Sequence, residues 1–355
     1  MPPARPVAAE RSVTAAARML SEAKKPILMV GGGAQGFGAC VNRLAEHLDA
    51  AVVSSNAGKG VVPESHALSL VGGMITKAVR DFVETADVIL SIGCEMFETD
   101  SFEDYLTINA KLIRVDIDSS KFNDIYPADL GVQGDAKPTI EAILSKLQAI
   151  GPSAGRGMAQ RLLAVRDAQT AAFTHVEHQH RRLLLKLRSV LPEDAIMMGD
   201  IAQLVYTGSA VMPTNLARTW FYPAGLGTLG CAMPGAIGAK LAQPNRAVVA
   251  LVGDGGFLFT IQELATAVEQ ELSIPIILWN NNALAMIRDG MIKRGIPEIG
   301  VTPKNPDFIT VGQGFGCVTA RPESLDAFGE AVTTALSVNR PTIIEVGEDA
   351  EWLVT

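Results

Sequence analysis

The feature that most constrains this chain is a recurrence of short, β-rich and largely apolar strings, those of the second half bounded by Gly, Pro or Asn, separated by helix-length stretches. In the first half the runs fall at residues 26–30, 51–54, 87–92 and 112–117, and in the second half at 195–198, 246–252, 274–279 and 342–346. Helix-compatible stretches such as 11–23, 39–48 and 260–270 lie between them. An apolar run without polar alternation is what a strand covered on both faces needs. Strands that alternate with helices pair in parallel, because a parallel return requires a crossover. The pattern predicts an α/β protein of two doubly wound parallel-sheet domains. The alternation lapses near residue 150, where Gly151-Pro-Ser-Ala-Gly-Arg-Gly157 is turn-rich and the polar stretch up to Ser189 has few strand signals. The expected division is a first domain over 1–160, a connector over 161–188 and a second domain over 189–355.

Composition supports that reading and removes others. A chain of 355 residues exceeds what one hydrophobic core usually serves. Hydrophobic residues at 48%, against 19% charged, leave no room for a disordered chain or a charged coiled coil. The formal charge of −8, with no basic run, argues against a nucleic-acid partner. Cys40, Cys94, Cys231 and Cys317 lie far apart without CxxC spacing, so they read as buried thiols of a reduced cytoplasm. The N-terminal residues lack the apolar stretch of an export signal, and no apolar run reaches membrane-spanning length. The expectation is a cytoplasmic protein with no membrane partner.

Two glycine-rich loops follow apolar runs. Gly31-Gly32-Gly33-Ala34-Gln35-Gly36 fits the G-x-G-x-x-G pattern, in which amides at a helix start cradle a pyrophosphate. A nicotinamide site of this type carries an acid at the end of the next strand. Here that strand ends Val53-Ser54-Ser55-Asn56, so a tight turn that binds nothing is the favoured reading of this loop. The second loop, Gly253-Asp254-Gly255-Gly256, is followed 27 positions after Asp254 by Asn281, at the end of the next run in Asn280-Asn281-Asn282. Glycine amides facing an anion, a carboxylate and an amide oxygen on the same sheet edge suit a diphosphate held through magnesium, which prefers six oxygens.

With this spacing the chain resembles the thiamine-diphosphate enzymes, whose cofactor motif runs from GDG to NN. Gly225-Leu-Gly-Thr-Leu-Gly230, Pro234-Gly-Ala-Ile-Gly-Ala-Lys240, Gln262-Glu-Leu-Ala-Thr266 and Asn305-Pro-Asp-Phe308 resemble the diphosphate-binding domain of the acetolactate synthase and 2-oxo acid decarboxylase group. Arg114-Val-Asp-Ile-Asp118, Tyr126-Pro127 and Gly134-Asp-Ala136 resemble that group's central, Rossmann-like domain. Gly93-Cys-Glu-Met-Phe-Glu-Thr-Asp100 and Leu278-Trp-Asn-Asn281 look closest to the branch containing 5-guanidino-2-oxopentanoate decarboxylase.

The resemblance implies particular roles. Asp254 and Asn281 would bind magnesium through their side chains and Ala283 through its carbonyl. The Gly253 loop would present the Gly255 and Gly256 amides to the diphosphate, with Gln203 nearby. The carbonyl of Gly227 would accept the cofactor's 4′-amino group, and the amide of Leu229 would reach the pyrimidine. The Leu229 side chain would support the cofactor's V shape, and Met286 would wall the thiazolium. Cys94-Glu95-Met96 stands where a flavin-associated Arg is expected, which argues against FAD. The family also uses a pyrimidine-binding domain whose glutamate activates the cofactor. Met1-Pro-Pro-Ala-Arg-Pro-Val resembles the linker after that domain, so the chain is expected to lack it and to be poorly active alone. No residue here is a candidate for that glutamate.

The expected partners are a 2-oxo acid substrate, a pyrimidine-domain subunit and a second copy of the chain. A non-catalytic cofactor-binding module and a dinucleotide-binding protein using Gly31–Gly36 remain the alternatives. His175, Glu177, His178 and His180 read as a solvated connector helix rather than a metal cluster. Arg288, Lys293 and Arg294 read as solvated charges rather than contacts to a substrate carboxylate.

Overall fold

The computed structural model describes residues 5–152 and 155–354, and it divides into two compact units. One comprises Met1–Ala172 with Pro213–Arg218, the other Phe173–Met212 with Thr219–Thr355. Residues 1–4 of the linker-like opening, and Ser153 and Ala154 of the turn-rich stretch, lie outside the described residues.

The first unit is built on strands β1 (Pro26–Val30), β2 (Ala51–Ser54), β3 (Ser69–Leu70), β4 (Val88–Ile92), β5 (Lys111–Asp116) and β6 (Leu130–Gln133). All pair in parallel, in the order β3-β2-β1-β4-β5-β6. Ile27 to Val30 are buried on both faces, which is why β1 carries no polar alternation. Helix Glu10–Glu22 buries Val13, Ala16, Ala17 and Leu20, one stripe at helical spacing, against helix Ala136–Ile150. It stops where Ala23 turns extended, just before Pro26 opens β1.

The second unit holds β7 (Ile196–Gly199), β8 (Trp220–Phe221), β9 (Val248–Gly253), β10 (Pro275–Asn280), β11 (Val318–Ala320) and β12 (Thr342–Gly347). Their order is β11-β12-β10-β9-β7-β8, again all parallel. The two sheets with their surrounding helices bear out the predicted fold class.

Helix His175–Val190 starts in a capping box, with Thr174 accepting from the Glu177 amide while the Glu177 carboxylate accepts from the Thr174 amide. Its inner face buries Leu183, Leu184, Leu187 and also His180, so the reading of a wholly solvated histidine helix is corrected at that residue. The His180 ring lies edge-on to Trp279, with centroids 4.4 Å apart, and burial pulls its pKa down to about 3. Among the described residues no three His, Cys, Asp or Glu side chains form a metal-ligating group, and no helix is long and apolar enough to cross a membrane. The four cysteines are free, and burial raises the Cys94 thiol to about 12.

Each sheet has an interior place where chain direction reverses. From β1 the chain proceeds to β2 on one side, and from β4 to β5 on the other. In the second sheet β7 leads to β8 and β9 leads to β10, again in opposite senses. A crevice opens at such a reversal, at the carboxyl ends of the strands, and it is where α/β proteins bind ligands.

Candidate functional site

In the first unit the crevice between β1 and β4 is filled by backbone. A Cβ on Gly31 would lie 2.1 Å from the Gly93 carbonyl oxygen, and one on Gly33 would lie 2.8 Å from the Gly93 Cα. Gly31 donates to the Ile92 carbonyl and Gly33 to that of Gly93, both at 3.0 Å. Ala34 and Gln35 donate back to Gly31 and Gly32 at 3.1 and 3.2 Å. Two amides of the loop that fits the dinucleotide pattern thus hold two strand ends together, and two more close the loop on itself. Behind it Arg114, buried in β5, donates to Asp124 at 2.6 Å and to the carbonyls of Tyr126 and Cys94 at 3.2 Å.

The corresponding crevice of the second unit is open. Three of its strands end in glycine followed by an acid: Gly199-Asp200 after β7, Gly253-Asp254 after β9 and Gly347-Glu348 after β12. Between the last two, β10 ends in Asn280, with Asn281 following it. A cleft at these ends is lined by Gln203, Leu229, Gly253, Asp254, Gly255, Gly256, Asn281, Ala283 and Met286. Nine of the ten residues singled out from sequence are therefore brought together. Gly227 does not line the cleft; it sits in the adjoining loop at φ 61°, with its Cβ position 3.9 Å from the lining residue Ile201. That backbone suits glycine. Arg288, on helix Ala285–Lys293, pairs with Asp289 at 2.9 Å, while Lys293 and Arg294 are exposed.

The residues present fit a diphosphate and a hard cation. After β9 the chain turns into the short helix Asp254–Phe257, whose first amides have no acceptor within the helix. A side chain in their place would crowd its neighbours, since a Cβ on Gly255 would lie 2.6 Å from Leu284 Cδ2 and one on Gly256 would lie 3.3 Å from the Asp200 carboxyl carbon. Asp254 is 3% exposed, and its Oδ2 accepts from Asn305 Nδ2 at 2.7 Å. That nitrogen also faces Asn280 Oδ1 at 3.1 Å and Asn282 Oδ1 at 3.3 Å, so three oxygens converge on one donor group. The other end of the same amide, Asn305 Oδ1, is buried without a partner. Oxygens that gather around a single amino group, beside an orphaned carbonyl oxygen, are the chemistry of a cation site. Asn281 turns its oxygen to the Ala283 amide at 3.2 Å and its nitrogen to Gln203 Oε1 at 3.1 Å.

Sequence reading missed several residues that shape this cleft. Asp200 is fully buried and accepts from Ile201 at 2.7 Å and from Gly230 at 2.9 Å, which ties the Gly225–Gly230 loop to the end of β7. Burial raises its pKa, while the amides of Ile201, Gly230 and Ala232 oppose the rise. Tyr206 lines the wall, and burial with the nearby Asp200 charge lifts its phenol to about 12. Trp279 closes the floor. The sequence signal for Asp200 is the Gly-acid pair at a strand end, the same one that marks Asp254.

Comparison with known proteins gives both units a family. Residues 13–143 match the thiamine pyrophosphate enzyme central domain, and residues 200–346 match the C-terminal TPP-binding domain of the thiamine pyrophosphate enzymes. The probable 2-ketoarginine decarboxylase of Pseudomonas aeruginosa is 39% identical over 97% of this chain and 62% of its own length. A probable acetolactate synthase large subunit of Methanocaldococcus jannaschii is 30% identical over 93% of this chain and 58% of its own. The acetolactate synthase isozyme 1 large subunit of Escherichia coli is 30% identical over 98% and 63%. The chain spans about three fifths of the length of the curated relatives it matches.

Proposed function

Because the chain belongs to the thiamine pyrophosphate enzymes of the decarboxylase and acetolactate synthase type, carrying their central and C-terminal TPP-binding domains, we propose that it holds thiamine diphosphate through magnesium in the cleft of its second unit. The observation that supports this most is the meeting of Asp254, Gly255, Gly256, Asn281 and Ala283 at one sheet edge. In this reading Asp254, Asn281 and the Ala283 carbonyl take the cation, and the Gly255 and Gly256 amides take the diphosphate, with Gln203 beside it. The Gly227 carbonyl and the Leu229 amide hold the aminopyrimidine, the Leu229 side chain supports a bent cofactor, and Met286 walls the thiazolium. When bound, thiamine diphosphate supplies a nucleophilic carbon and an electron sink, which allow a 2-oxo acid to lose carbon dioxide. The residues of this unit orient that group and exclude water from its diphosphate end.

We further propose that these 355 residues turn over poorly without a pyrimidine-binding domain to supply the activating glutamate, with a separate pyrimidine-domain subunit as one candidate source. A second copy of the chain is a further partner in this reading. Exposed apolar residues of the second unit, including Leu226, Phe259, Ile287 and Ile299, favour such association. The similarity to 2-ketoarginine decarboxylase nominates a guanidino 2-oxo acid as substrate. Calorimetric titration with thiamine diphosphate tests the binding claim: saturable heat in magnesium and its loss in EDTA are expected, and equal binding in EDTA contradicts the cation. Carbon dioxide release from 2-oxo acids after addition of a pyrimidine domain in trans tests the rest. Cofactor binding without any restored turnover would favour a non-catalytic module.

A further inference from the structure

We propose that Glu348 is a positioning residue for the cation site: its carboxylate holds the Asn281 amide with the nitrogen directed at the carboxylate and the oxygen left to the cation. This inference rests on the site assignment above. Asn281 can serve as a ligand only through Oδ1, yet an amide can rotate by half a turn at almost no cost in shape and present a nitrogen instead. Something must therefore distinguish its two ends.

Two groups meet the Asn281 nitrogen. Gln203 Oε1 lies 3.1 Å away, but Gln203 is itself an amide and can turn over together with its neighbour. Glu348 Oε2, at 3.4 Å, belongs to a group that only accepts. Turning Asn281 over would set its oxygen against that carboxylate and its amino group against the cation, and both contacts repel. On the other side the Ala283 amide donates to Oδ1 at 3.2 Å and leaves the second lone pair of that oxygen free.

Glu348 is placed for this by the sheet. Asn280 of β10 stands opposite Gly347 of β12, so the residue after β12 falls beside the residue after β10. Its amide donates to the Asn280 carbonyl at 3.0 Å, and its own carbonyl accepts from Gln179 at 3.4 Å. Trp279 Nε1 donates to the same Oε2 at 3.3 Å, which fixes the carboxylate over the floor of the cleft. A ligand, the partner that orients it and the partner's own anchor thus form one chain: Asn281, Glu348, Trp279. Groups in this position tune metal affinity without touching the metal.

Paramagnetic titration of Mn2+ into the full chain with thiamine diphosphate present tests the idea. The wild type should bind, and Asp254→Ala should not. Glu348→Gln keeps size and shape but can donate to a flipped Asn281; it should weaken Mn2+ binding about tenfold or more and leave the melting temperature of the metal-free protein unchanged. In an Asn281→Asp background there is no amide to orient, so Glu348→Gln should then cost nothing. Wild-type affinity in Glu348→Gln, or an equal loss in both backgrounds, would overturn the proposal. Mn2+ binding that survives Asp254→Ala would overturn the site assignment and this inference with it.

Discussion

His180 and Trp279 lie directly behind the cleft, and the state of the histidine affects stability. Thr207 donates its hydroxyl to the Gln203 carbonyl at 3.2 Å, so at 2.8 Å it accepts from His180 Nδ1 and fixes that tautomer. The remaining nitrogen, Nε2, is buried without a partner, and a proton placed there would be a buried charge. The folded-state pKa, near 3, lies below the unfolded value near 6.5, so between them the unfolded chain binds more protons. Stability therefore falls as pH drops below about 6.5, by about 1.4 kcal/mol per pH unit for this one group. Denaturant melts at pH 7 and pH 5 should show a smaller difference for His180→Gln than for the wild type. In the first unit Lys59 and Glu64 form a buried ion pair at 2.6 Å, and Glu64 also accepts from the Thr214 amide at 2.8 Å. Burial pushes the Glu64 carboxyl up and the Lys59 amine down, and each partner's charge opposes the shift. Glu64→Gln removes the carboxylate that pairs with the buried Lys59 ammonium and should cost about 3–5 kcal/mol in urea unfolding. Neither arrangement is legible in the sequence, where Lys59 and Glu64 look like ordinary loop charges. Asp254 was legible because its chemistry and its place in the pattern coincide.

At the scale of elements, the eight strands readable from sequence form the interior of the two sheets, four in each. The four that were missed, β3, β6, β8 and β11, are the edge strands. The reason is physical, since an edge strand pairs on one side only, and these four are too short or too mixed in composition to stand out as runs. Three are two or three residues long, and β6, Leu-Gly-Val-Gln, has only Val132 fully buried. A continuous apolar signal needs several covered apolar residues in a row; β3 is buried but offers only Ser69 and Leu70, and the other three are partly exposed. The glycine loop after β1 illustrates the opposite hazard: its pattern is right for a nucleotide, yet its geometry serves packing. A Gly31→Ala substitution forces a methyl group into the Gly93 carbonyl and the Cys94 Cα, 2.1 and 2.4 Å away. It should destabilise the first unit by about 1–3 kcal/mol, measured by chemical unfolding, whether or not any nucleotide is present. A difference between wild type and Gly31→Ala that appeared only in the presence of FAD or NAD would instead favour a ligand site there.

On the scale of the whole chain, two sheets of the same class use their reversal points differently. One is closed by glycine backbone, while the other is left open and rimmed with an acid or an amide at the ends of β7, β9, β10 and β12. The division of labour agrees with the match of one unit to a central domain and of the other to a TPP-binding domain. The central claim is that Asp254 anchors a cation-bridged diphosphate, and a thermal melt tests it most directly. A ligand that binds only the folded state at 100 times its Kd adds about 2.7 kcal/mol, or roughly 5–11 °C for a cooperative unit of this size. Thiamine diphosphate with magnesium should raise the melting temperature of the second unit by that much in the wild type and leave Asp254→Ala unmoved. An equal rise in both proteins, or none in the wild type, would contradict it.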